Sequence, residues 1–111
     1  CIAAICDSDS VLSASGLGKK ALQGKTVSEK LTEVMTSRRS YLANKAEGGE
    51  LIPVAQDQEE EYTAQIIVPI VANGDCLGAV VLLSREEGAV LEASSVKLAR
   101  LTADIIANQF E

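Results

Sequence analysis

Residues 62–84 read YTAQIIVPIVANGDCLGAVVLLS, two apolar runs joined by Asn73-Gly74-Asp75. Asn-Gly supplies the positive φ angles of a type I′ turn, whose twist matches that of paired strands. The stretch is therefore an antiparallel hairpin with strands Tyr62–Ala72 and Cys76–Ser84. Neither strand alternates apolar with polar residues. Both of its faces are apolar, as in the centre of a sheet covered on each side.

Such a centre needs flanking strands and covering helices, and the rest of the chain supplies candidates. Upstream, the apolar run of residues 2–6 ends at Asp7-Ser8-Asp9-Ser10, a cluster whose side chains bond the backbone two residues on. Val11–Ser15 follows as a second short strand stopped by Gly16, which makes a first hairpin. Lys19–Gln23 is read as a short helix ended by Gly24. Thr26-Val27-Ser28-Glu29 has capping-box spacing, and Val27, Leu31, Val34 and Met35 share one helical face behind it. Arg38 and Arg39 then fall in the last turn, at the negative end of the helix dipole. Ser40–Ala46 and Leu51–Ala55 are weaker strands, the second confined to an edge or an irregular segment by Pro53.

Downstream, Val90–Phe110 is a helix with two apolar stripes. Leu91, Leu98, Leu101 and Ile105 form one. Ala99, Ala103, Ile106 and Phe110 form the other, about 110° away at 100° per residue. Lys97, Arg100, Asp104 and Asn108 make a narrow polar strip. A helix lying on its own sheet needs a single stripe, so the second implies another packing partner: a further helix of the same polypeptide or a second subunit. Hairpin-connected strands with helices between them mean an antiparallel sheet in an α+β domain.

Composition narrows the function. The 111 residues carry 10 Lys+Arg and 16 Asp+Glu, a formal charge of −6, which argues against a grip on a phosphate backbone. There is no histidine, which removes histidine-based triads, general bases and metal sites. The longest apolar runs are seven residues, far short of the roughly 18–20 that span a bilayer, and no signal-peptide pattern opens the chain. The strand at residues 1–6 begins without a methionine, and the chain is read as a fragment of a longer protein. The cysteines, Cys1, Cys6 and Cys76, match no metal or CxxC redox spacing and are read as small buried hydrophobes in a reducing compartment.

Candidate binding residues are few. Ser13 and Ser15 alternate on one side of the second strand and offer polar anchors for an otherwise apolar pocket. Arg39, beside Arg38 and close to Tyr41, is suited to an anion. Met35 and Tyr62 complete the candidate ligand-binding set by their helix and strand positions. Leu91, Leu98, Leu101 and Ile105 are the candidate oligomer interface. Gly16-Leu17-Gly18-Lys19-Lys20 lacks phosphate-loop spacing and is read as a turn. Asp57–Glu61 is read as a solvated acidic loop, because its adjacent carboxylates do not converge on one cation. No nucleophile–base pair is legible.

The block Val68-Pro69-Ile70-Val71-Ala72-Asn73-Gly74-Asp75, with Gly78-Ala79-Val80-Val81 and Ser84, resembles the C-terminal sensor domain of the stage V sporulation protein T family. These are AbrB-type transcription regulators of spore-forming Firmicutes. Ile5-Cys6-Asp7, Ser13-Ala14-Ser15-Gly16, Lys19-Lys20 and the helix from Ser28 to Arg38 extend the likeness over nearly the whole chain. The resemblance implies an α+β GAF-like fold, an antiparallel β-sheet with helices packed on its faces. It also implies a helix before the first strand and a DNA-binding domain, both upstream of this chain. Further implications are a forespore location in the cytoplasm, self-association as a dimer or higher oligomer, a possible small-molecule effector, no cofactor or metal, and no membrane contact. DNA is then met only through the upstream domain. Two other readings stay open: a ligand-free dimerisation module, and a cysteine-based GAF-fold reductase if Cys6 and Cys76 lie close.

Overall fold

The computed structural model describes residues 1–16 and 19–111; Leu17 and Gly18, the middle of the Gly16–Lys20 motif, lie outside the described residues. Five strands form one antiparallel sheet: β1 (Ile2–Asp7), β2 (Val11–Ser15), β3 (Tyr41–Asn44), β4 (Ala64–Ala72) and β5 (Asp75–Ser84). Two α-helices, α1 (Glu29–Ser37) and α2 (Ala93–Asn108), cover opposite faces. The spatial order is β2-β1-β5-β4-β3, so the 62–84 hairpin is central. Asn73 (φ 53°) and Gly74 (φ 83°) close it with the positive φ values of a type I′ turn.

Alternation along β4 divides the core. Ile66, Val68, Ile70 and Ala72 face α2, and Ile67 faces α1. On the α1 side Leu31 and Met35 pack against Ile67, Val81, Leu83 and the irregular segment 51–55, where Val54 and Ala55 are fully buried. That segment is not the expected strand. Among the described residues only Ala55 pairs, in an isolated bridge to Val27, and the Gln65 side chain replaces strand pairing by donating to the Ile52 carbonyl (2.7 Å) and accepting its N–H (3.1 Å).

The helix start differs from the capping-box expectation. Ser28, not Thr26, is the N-cap, and its hydroxyl oxygen accepts the Leu31 N–H at 3.0 Å. Thr26 is held extended by a bridge to Ser10, and Val27 by its bridge to Ala55, so neither is helical. Arg38 is the left-handed C-cap (φ 59°), and Arg39 lies beyond the helix. The expected helix at 19–23 is a single 3-10 turn, Lys19–Ala21.

On the opposite face Ala99, Ala103 and Ala107 recur every four residues and let α2 settle closely on β4 and β5. Phe110, expected on this buried stripe, lies past the end of α2 and is 64% exposed. No described helix is long and apolar enough to cross a membrane.

Candidate functional site

The expected ligand-binding residues fall in three places, not one. Ser13 and Ser15 pair with Ile5 and Ala3, so all four side chains share the α2 face of the sheet. There they line an apolar groove of about 290 Å³ whose other wall is Leu98, Ala99 and Thr102 of α2. Met35 is buried in the α1-side core, where it is a packing residue. Tyr41 packs half-buried beside that core and its hydroxyl donates to the Glu50 carbonyl. Tyr62 is also buried there, its hydroxyl without a hydrogen-bond partner among the described residues. Burial, then Glu60, raises its pKa, with Arg85 opposing. Arg39 is exposed in a third place, a cleft with Arg38, Ser40 and Arg100.

Three of the candidate ligand-binding residues, Met35, Tyr41 and Tyr62, thus lie in or against the core on the α1 face. Leu31, Val54, Ala55, Gln65, Ile67 and Val81 fill it, each fully buried. These residues are not a shared pocket because the 51–55 segment folds down onto the sheet, held by Gln65. Sequence reading did not reach this, since the tie joins positions 13 apart through a side-chain amide.

Of the expected interface residues, Leu98, Leu101 and Ile105 are 62, 57 and 54% exposed and form a strip along α2. Leu91 does not join them. It precedes α2, so helical periodicity does not govern its direction. It packs half-buried on the α2-side core, its N–H and carbonyl both bonded at 2.9 Å by the Asn44 side chain.

The cysteines are separated. Cys6 lies opposite Ala79 on β5, and Cys76 is three residues further along. At about 3.3 Å per residue that is about 10 Å, beyond disulfide reach. Burial, and secondarily the neighbouring Asp7 carboxylate, push the Cys6 thiol up to about 12, so it does not supply a thiolate near neutral pH. Cys76 Sγ meets the Gly78 carbonyl at 3.3 Å.

Residues 1–111 match, end to end, the family described as the stage V sporulation protein T C-terminal, transcription factor. The chain belongs to that family. Stage V sporulation protein T of Bacillus subtilis (strain 168) is 35% identical over 107 residues, which are 96% of this chain and 57% of that protein. The chain thus spans a little over half the length of that relative. The fold of this chain recurs in solved structures at low identity. A methyl-accepting chemotaxis protein, residues 122 to 287, has a TM-score of 0.77 at 18% identity, with 98% of this chain and 76% of that one covered. The GAF domain of Thermosynechococcus elongatus PixJ reaches 0.70 at 12%, covering 98% and 74%. The type II free methionine-R-sulfoxide reductase of Thermoplasma acidophilum reaches 0.70 at 11%, covering 96% and 76%. The expected GAF-like α+β fold is thereby borne out.

Proposed function

We propose that this chain is the non-catalytic regulatory domain of a sporulation transcription regulator, that it associates with a second copy of itself along α2, and that a small-molecule effector in the adjoining groove acts on that association. The observation that carries the reading is the sharing of Leu98 between the exposed strip and the groove lined by Ser13 and Ser15. Leu98, Leu101 and Ile105 are spaced three and four apart, the repeat of a coiled-coil seam, and a two-fold axis brings such a seam against itself. An effector touching Leu98 and the two serines would bias one packing of the seam over another by its difference in affinity for the two. On this reading the protein works in the cytoplasm of the forespore, and DNA is contacted by a separate domain of the regulator.

Sedimentation velocity over a range of concentrations tests the association. The expected result is a dimer or higher oligomer that Leu98→Glu combined with Ile105→Glu converts to a folded monomer. A monomer at every concentration, or an oligomer indifferent to the pair, overturns it. A metabolite thermal-shift screen tests the effector, since a ligand at 100 times its Kd adds about 2.7 kcal/mol of stability. A ligand-free association module is the second reading, favoured by the packed α1 face. A screen without hits and an intact oligomer would select it.

A further inference from the structure

The chain has four arginines, and three of them, Arg38, Arg39 and Arg100, line one cleft of about 470 Å³. The cleft lies where α1 ends, before β3 begins. β3 pairs with β4 only as far as Tyr41↔Ile67, so Val68–Ala72 has β5 alone as a neighbour. Pro69 is tolerated in β4 at this open edge. Half-buried Val71 forms the apolar wall, with Val68 and Pro69 buried beneath it, and Arg100 reaches from α2 to donate to Ser40 Oγ at 3.0 Å. Arg39 is placed from the other side, its N–H bonded to Ser37 Oγ at 3.1 Å.

The charge balance there is opposite to that of the molecule. Among the described residues none of the three guanidinium groups is in an ion pair, the pairs being Lys25–Asp57, Lys30–Glu33 and Arg85–Glu60. Asp104 is the one carboxylate in the lining. Three cations against one anion leave a formal charge of +2 in a chain whose total is −6. The C-terminal end of α1 contributes roughly half a negative charge, too little to reverse that sign. Self-repulsion among three unpaired arginines is relieved by an anion with several oxygens, which guanidinium forks bind in bidentate fashion. A bare oxyanion would leave the apolar wall unused.

We propose that this cleft binds a small phosphate monoester, the phosphate held by Arg38, Arg39 and Arg100 and the organic part laid on Val71. The site is separate from the α2 strip, because Arg100 points about 100° or more around the helix from Leu98, Leu101 and Ile105. It therefore goes beyond the association reading, and either can fail alone.

The test is titration of the whole chain with phenyl phosphate, inorganic phosphate and benzyl alcohol, followed by arginine side-chain NMR shifts, with oligomeric state recorded in parallel. Phenyl phosphate should move the Arg39 and Arg100 signals with a Kd several-fold lower than inorganic phosphate, and benzyl alcohol should leave them unmoved. Arg39→Gln and Arg100→Gln should each raise the Kd about tenfold, the size of one lost charge-assisted contact. Lys97→Gln, on the same helix but outside the cleft, should change it less than twofold. The proposal is overturned if no shift occurs at 10 mM phosphate ester, or if Lys97→Gln weakens binding as much as Arg100→Gln. All three side chains are exposed, and unchanged circular dichroism of each variant excludes misfolding as the cause of lost binding.

Discussion

Gly78 shows how one position constrains the sheet. A Cβ there would overlap the Cys6 carbonyl oxygen and come within 2.9 Å of the Asp7 Cα, both backbone atoms of the neighbouring strand. Neither can move without parting β1 from β5, whose register runs from Ile2↔Leu83 to Asp7↔Gly78. Gly78→Ala should cost about 1–3 kcal/mol, the ordinary range of overpacking, and lower the midpoint of thermal unfolding by several degrees. An unchanged midpoint would show that the strands approach less closely than described. Gly78 was visible in the sequence within the resembling block. The reason for it was not, because Cys6 is 72 positions away and only pairing brings it there.

Among the elements, α1 separates what a local pattern determines from what its surroundings choose. Thr26 and Ser28 are both N-cap residue types, and spacing alone favoured Thr26 with Glu29. Two isolated bridges, Ser10↔Thr26 and Val27↔Ala55, hold that stretch extended and move the start of the helix on to Ser28. Ser28 is 4% exposed, and its hydroxyl also donates to the Pro53 carbonyl, so it ties α1 to the segment that fills the core. Ser28→Ala should therefore cost about 1–2 kcal/mol in urea unfolding, whereas exposed Thr26→Ala should stay within about 0.5 kcal/mol. Equal effects would restore the capping box. The end of α2 carries the same lesson: Phe110 fits the helical stripe by periodicity, but the helix stops at Asn108 and the ring is exposed.

At the scale of the whole molecule, two side-chain amides join parts that strand pairing does not. Gln65 fastens the 51–55 segment to β4, and Asn44, 4% exposed, fastens Leu91, at the approach to α2, to β3. Asn44→Ala leaves the Leu91 N–H and carbonyl without these partners. It should cost about 1–3 kcal/mol and speed amide exchange at Leu91 and the first turn of α2 before the central strands. Uniform exchange changes would mean that the tie is not local. By itself the amino-acid sequence determined the central hairpin, the antiparallel α+β class and the two-sided character of α2, because periodicity and turn residues act over a few positions. Only the tertiary structure decided that β1 lies beside β5, that the α1 face is filled, that Ser13 and Leu98 line one groove and that Arg100 joins Arg38 and Arg39. Each of those depends on groups tens of residues apart, brought together by sheet order and burial, which local propensity does not encode.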